Sequence, residues 1–348
     1  MEKIEKHNND AEIVAQMVDR LITVEIRNAD RDDRSIIPPL YDSACQKFDG
    51  KPVSLVAAQR MIDKIKPGDN VFLVDGFAYK PNMPNGENDG PLGIASLARA
   101  INLGLGALPI IVVGEADMEP VCQTVRAAGL TILDYAQAKI TKVASASAIT
   151  FPVSGKGESE RFAASLIDEY APKAALSVET VGPNQKGIKH SGSGYNVEAK
   201  DRLPGIEYIF YKANARGILT IGCIDGGNEI GSGTIEEAVR RITPRGDQCR
   251  CPCQTGIACA VKTDIVFPAS VSNWGAYGIN AMLACLLQKP EILQDAFTER
   301  RMLEACINAG GVDGETGQTG LSCDGVDHLT GDGLITMLNK IIETALKR

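Results

Sequence analysis

Short apolar runs that break off at a carboxylate or a glycine recur along this chain, each followed by a stretch of helical periodicity. The run 71–74 ends in Asp75-Gly76, 109–113 in Gly114, 174–178 in Glu179, and 219–224 in Asp225-Gly226-Gly227. Repeated strand–helix units build a mostly parallel open sheet with helices on both faces, the Rossmann-like layering of the α/β class. The run 130–133 reads as a further strand, and 264–268 as the last central one.

The helices follow from apolar stripes at three- and four-residue spacing. Ala11, Val14, Val18 and Leu21 give the first, with Asp10 expected as its N-cap. Leu55, Met61, Ile62 and Ile65 give the second, and Pro91 suits the first turn of the one carrying Ile94, Leu97 and Ile101. Further helices are expected over 120–128, around 162–170, and at about 277–287, 290–308 and 334–346, with Thr234 and Glu237 forming a capping box. The segment 136–148 carries a softer pattern. The expectation is one domain over 1–348, with 136–148 as the candidate point of subdivision.

The charge balance narrows the partners. A net charge of −8 argues against nucleic acid, which needs a basic surface. No apolar run reaches membrane-spanning length, and the polar start of the chain lacks the apolar stretch of a secretory signal. The expected setting is cytoplasmic, with a small-molecule substrate and homo-oligomerisation left open.

Ligands of open α/β sheets bind beyond the carboxyl ends of the strands. Here those ends carry Asp75, Glu179 and the loop Asp225-Gly226-Gly227-Asn228-Glu229, while Glu87-Asn88-Asp89-Gly90-Pro91 opens a helix. Carboxylates that converge on one crevice need protons, a cation or a basic partner. Hard oxygen ligands favour Mg²⁺ or Mn²⁺ over zinc. Read singly, Asp89 can be a helix cap, Asp225-Gly226-Gly227 a turn and Glu229 a solvent-facing side chain.

Other chemistries find less support. The glycines around 222–233 do not follow G-x-G-x-x-G, and neither a P-loop nor a G-x-S-x-G elbow is present. His190 lies close enough to Glu179 in sequence to serve as base or ligand. Cys122, Cys223, Cys285 and Cys306 sit in apolar patterns and read as buried reduced thiols. Cys249, Cys251, Cys253 and Cys259 lack the paired C-x-x-C spacing of zinc sites, and Pro252 stiffens the run. Free thiols are the expectation there.

Glu87-Asn88-Asp89-Gly90-Pro91-Leu92-Gly93, Glu179-Thr180-Val181-Gly182-Pro183-Asn184, Asp225-Gly226-Gly227-Asn228-Glu229-Ile230-Gly231, Ser272-Asn273-Trp274-Gly275-Ala276-Tyr277 and Val312-Asp313-Gly314 stand in this order over most of the chain. On these motifs the sequence resembles the D-glutamate cyclase-like C-terminal domain family. One departure is Asn88, where many relatives are expected to have Thr.

The resemblance implies a carbon–oxygen hydro-lyase that converts D-glutamate to 5-oxo-D-proline with loss of water, and a metal in the acidic cleft. On this reading Asp89, Glu179, Asp225 and Glu229 hold a divalent cation, Mg²⁺ or Mn²⁺. Asn184, Asn228, Ser272 and Asn273 orient the substrate, and the Gly226 and Gly227 amides meet the developing oxyanion. Glu179, Asp225, Glu229 or His190 moves protons. The same acidic cluster would serve a metal-dependent hydrolase, and a non-catalytic metabolite-binding protein is the third reading.

Overall fold

The computed structural model describes residues 2–26, 35–198 and 202–347. In chain order the helices are α1 (Glu2–Ile22), α2 (Ile37–Cys45), α3 (Val53–Lys64), α4 (Pro91–Arg99), α5 (Glu115–Ala127), α6 (Tyr135–Ile140), α7 (Lys156–Tyr170), α8 (Glu207–Ala215), α9 (Glu236–Ile242), α10 (Ser272–Leu287), α11 (Ala296–Asn308) and α12 (His328–Leu346). The strands are β1 (Asn70–Val74), β2 (Leu108–Val113), β3 (Thr131–Ile132), β4 (Ser145–Thr150), β5 (Ala174–Val178), β6 (Leu219–Ile224), β7 (Ile265–Pro268), β8 (Ser322–Cys323) and β9 (Val326–Asp327).

Strands β1 to β7 form one sheet in the order β3-β4-β2-β1-β5-β6-β7, every neighbouring pair parallel. This is the expected α/β class. Alternation along the strands divides the apolar residues between two cores. Val71 and Leu73 of β1 join Leu55 of α3, Leu97 of α4 and Met282 of α10 in the larger core. Phe72 and Val74 join Leu166 of α7 and Phe210 of α8 on the opposite face. Both faces are covered, so the central strands are apolar throughout. No helix among the described residues is long and apolar enough to cross a membrane.

Several element boundaries differ from the expectation. The segment 136–148 supplies α6 and the start of β4, which lies between β3 and β2 in the same sheet. Helix α1 begins at Glu2, so Asp10 lies inside it, and α5 begins at Glu115, with Pro120 inside. Thr234 forms no capping box: its hydroxyl donates to the Thr263 carbonyl and accepts from the Thr263 amide, and α9 starts two residues later. The segment 290–308 is interrupted, and α11 starts behind Asp295, whose side chain accepts from the Thr298 amide.

Carboxylates distant in sequence cap several helix starts. Glu25 accepts from the Ile36 and Ile37 amides at the start of α2. Asp19, buried in α1, accepts from the Ser54 amide in the first turn of α3 and from the Tyr41 hydroxyl of α2. Burial pushes the Asp19 carboxyl up to about 6, against the hydrogen bonds from Ser54 and Tyr41 that pull it down. The folded protein therefore binds more protons at this site than the unfolded chain between about pH 4 and 6, and stability falls as pH rises through that window. Asp19→Asn removes the titration and keeps an acceptor oxygen. Its stability relative to the unsubstituted protein is expected to improve by about 2 kcal/mol between pH 4 and pH 7, at roughly 1.4 kcal/mol per pKa unit. Urea titrations of both proteins at the two pH values measure the difference. A difference that does not change with pH would refute the assignment.

Candidate active site

Strand β1 has β2 on one side and β5 on the other, so the direction of winding reverses between β1 and β5. Such switch points leave a crevice at the carboxyl ends of the strands. Asp75 directly follows β1, Glu179 follows β5, and Asp225 follows β6. The loop before α4 brings in Glu87 and Asp89, the start of α10 brings in Ser272 and Asn273, and the β8–β9 hairpin brings in Asp324. All of these side chains are buried or nearly so.

Carboxylate oxygens of Asp89, Asp225 and Asp324 lie within 4.8 Å of one another, as do those of Glu179, Asp225 and Glu229, so Asp225 is common to both groups. Burial first, then the charges of Asp225, Glu229, Asp89 and Glu87, hold Glu179 well above the ordinary carboxyl range. Burial followed by Asp225 and Asp324 does the same to Asp89, although the amides of Asn273 and Ser272 pull it down. Glu87 is raised by burial and then by Asp324 and Asp89. Asp75 is raised by burial and then by Asp117, which burial itself pushes up to about 7. The cluster thus retains protons at neutral pH or takes up a cation.

Each expected site residue has a definite place. Asp89 Oδ1 accepts from the Gly90 and Asn273 amides at 2.9 and 2.8 Å, and Oδ2 accepts from the Ser272 amide at 2.8 Å. It therefore caps α10 and is also a member of the acidic cluster. Glu179 has φ +49°, in the left-handed region, and its Oε2 accepts from Ser272 Oγ at 2.5 Å. A non-glycine residue held there by its surroundings is the kind of backbone strain found at functional sites.

Glu229 is turned onto its own loop. Its oxygens accept from the amides of Asp225, Gly226 and Gly227 at 3.2, 2.7 and 2.6 Å. The Gly226 and Gly227 amides thus hold Glu229 in this structure. Asn273 Oδ1 accepts from the Gly90 and Gly93 amides, and its Nδ2 donates to the Asn88 carbonyl. Asn228 Nδ2 donates to the His190 carbonyl at 3.0 Å.

Two expected residues point elsewhere. Asn184 Oδ1 accepts from the Lys186 and Ile188 amides, and Nδ2 donates to the Gly256 carbonyl. His190 has Nδ1 3.0 Å from the Ile188 carbonyl, and its Nε2 faces the Sγ atoms of Cys251 and Cys253 at 3.2 and 3.6 Å. Its ring is engaged with the thiols, not with the carboxylate groups.

The sequence reading passed over Asp324. The signal was the Asp-Gly dipeptide of a two-residue hairpin turn, here Asp324 at φ +49° and Gly325 at φ +77° between β8 and β9. Asp313 sets that hairpin: its Oδ2 accepts from Ser322 Oγ and the Gly325 amide. Asn88 Nδ2 reaches the Ser322 carbonyl, which seats the hairpin over the crevice.

Glycines are required where the acids pack. A Cβ on Gly90 would lie 2.2 Å from Asp75 Oδ1, and one on Gly314 would lie 1.7 Å from Glu87 Oε2. The roomiest cavity, an open groove of about 1030 Å³ lined by Lys156, Lys186, Arg202, Tyr208 and Lys212, contains none of the crevice carboxylates. We assign the chemistry to the crevice because only there do strand ends, buried acids and strained backbone coincide.

The donor set fits a hard cation. Carboxylate oxygens at this spacing suit Mg²⁺ or Mn²⁺. The buried atoms Glu87 Oε1 and Asn88 Oδ1 find no hydrogen-bond partner among the described residues, as expected of oxygens that serve a cation or an ordered water.

The family model for D-glutamate cyclase-like, C-terminal matches residues 42–339, most of the chain. The chain belongs to that family. The match takes in every crevice residue named above and extends across the whole sheet. Among curated relatives, human mitochondrial D-glutamate cyclase is 36% identical over 113 residues. That alignment covers 32% of this chain and 16% of the human protein, so this D-glutamate cyclase-like chain spans only a small part of its relative's length.

Proposed function

We propose that the crevice closes the α-amine of D-glutamate onto its own γ-carboxyl group, giving 5-oxo-D-proline and water. The convergence of Glu179, Asp225 and Asp89 at the β1/β5 switch point carries this reading, with family membership behind it. The amine nitrogen bonds to the γ-carbon and one carbon–oxygen bond breaks. The substrate ammonium gives up two protons in all, the departing oxygen takes two, and water leaves.

Glu179, held high enough to keep its proton at neutral pH, is placed to protonate the departing oxygen. Asp225 is assigned the proton from the amine. A closed crevice brings the two ends of the substrate together and supplies much of the remaining rate. A dicarboxylate can enter this acidic space only if charge is offset. Mg²⁺ or Mn²⁺ held by Asp89, Asp225 and Asp324 would offset it and polarise the γ-carboxylate. A cytoplasmic setting belongs to the same reading, and the ten free cysteines suit it.

The deciding experiment treats the purified protein with chelator, restores Mg²⁺ or Mn²⁺, and supplies D- or L-glutamate. Mass detection is expected to find a product lighter by one water from the D-isomer, dependent on metal. Failure to form it with metal saturating would refute the cyclase reading. Release of phosphate from simple esters by the same protein would favour the hydrolase instead.

A further inference from the structure

Beyond the acidic crevice, a second cluster of ligating atoms is complete in itself. Cys249 Sγ lies 3.5 Å from Cys251 Sγ and 3.2 Å from Cys253 Sγ. His190 Nε2 lies 3.2 Å from Cys251 Sγ and 3.6 Å from Cys253 Sγ. All four donor atoms fall within 4.8 Å of one another. A tetrahedral zinc ion with Zn–S of about 2.3 Å and Zn–N of about 2.0 Å has edges of roughly 3.5 to 3.8 Å. An expansion of a few tenths of an ångström converts the observed cluster into that tetrahedron. The geometry points to a Cys₃His site for one zinc ion, formed by His190, Cys249, Cys251 and Cys253.

The surroundings are those of a ligand set. His190 Nδ1 is 3.0 Å from the Ile188 carbonyl, which fixes the proton on Nδ1 and turns the Nε2 lone pair toward the sulfurs, the usual outer partner of a metal-bound histidine. The Cys253 amide donates to Cys251 Sγ and Asn184 Nδ2 donates to Cys253 Sγ, bonds that favour thiolates. His190 is fully buried, and the three cysteines are at most 9% exposed. Thiolate and imidazole donors select zinc over the hard cations of the crevice. Edges this short enclose a single ion and leave no room for an iron–sulfur cluster.

Four protein donors leave no open position, so the site is structural. It pins the 249–256 turn to the segment after β5. That segment is in turn held to the crevice loop by the bond from Asn228 to the His190 carbonyl. Zinc uptake releases the thiol protons to solvent.

The test needs no substrate. Full-length protein expressed with zinc and purified without chelator is expected to carry about one zinc per chain by elemental analysis. Cys251→Ser and His190→Ala are expected to lose it, while Glu179→Gln retains it, which separates this site from the acidic one. Because the cysteine variants may not fold, the unsubstituted protein is also loaded with Co²⁺. Intense tetrahedral ligand-field bands with thiolate-to-cobalt charge transfer would then report the donor set directly. Zinc well below one equivalent, octahedral cobalt spectra, or a Cys249–Cys253 disulfide in the native protein would each overturn the assignment. None of these results depends on the cyclase reading.

Discussion

Glu179→Gln is expected to abolish most turnover while the protein folds as before. Glutamine keeps the shape and an oxygen for Ser272 Oγ, but it supplies neither a transferable proton nor a charge. Loss of a positioned acid–base group costs about 10²- to 10⁴-fold in rate. Stability should stay level or rise, because the change removes a buried group repelled by Asp225, Glu229, Asp89 and Glu87. Thermal melting and turnover measured on one preparation separate the two effects. Turnover within a few-fold of the unsubstituted enzyme would remove Glu179 from the reaction.

Asp89→Ala is expected to cause the largest loss of stability among single substitutions in the crevice. It leaves the Gly90, Ser272 and Asn273 amides without their acceptor at a buried helix start. Loss of a cap costs about 0.5–2 kcal/mol, and each stranded buried donor about 1–3 kcal/mol. Relief of repulsion with Asp225 and Asp324 offsets part of this. The net expectation is a loss of about 2–4 kcal/mol. Asp89→Asn retains an acceptor oxygen and should lose less. Urea denaturation of the three proteins decides the matter; an alanine variant as stable as the parent would show that Asp89 contributes no cap.

The central strands were legible because both their faces are buried, which leaves 71–74, 109–113, 174–178 and 219–224 apolar throughout. Strand β4 was not: Ser145 and Ser147 are small enough to be buried, so its pattern looks soft. Helix α10 was expected at about 277, yet it starts at Ser272, because the acceptor for its first amides is Asp89, far away in sequence. No local signal marks such a cap.

The acids at the strand ends could be read from position alone. The direction in which each polar side chain points could not. Glu229 and Asn184 look like ligand-facing groups in sequence, and the fold uses both to hold their own loops. The thiols show the reverse. Their spacing lacks the usual pairs, and the fourth donor, His190, comes from 61 positions before Cys251.

The cap on α10 also constrains the order in which the chain can mature. Asp89 lies 183 positions before Ser272, and Asn88 lies 234 positions before the Ser322 carbonyl it bonds. At synthesis rates of about 5–20 residues per second, Asp89 waits roughly 10 to 40 seconds for the helix start it caps, and longer for the hairpin that covers it. The sheet neighbours β1 and β2 can pair well before then, so a nascent chain carries an assembled sheet edge and an open, unneutralised ring of acids. The catalytic crevice is therefore among the last parts of the molecule to close, and an unfinished chain has no means of binding substrate early.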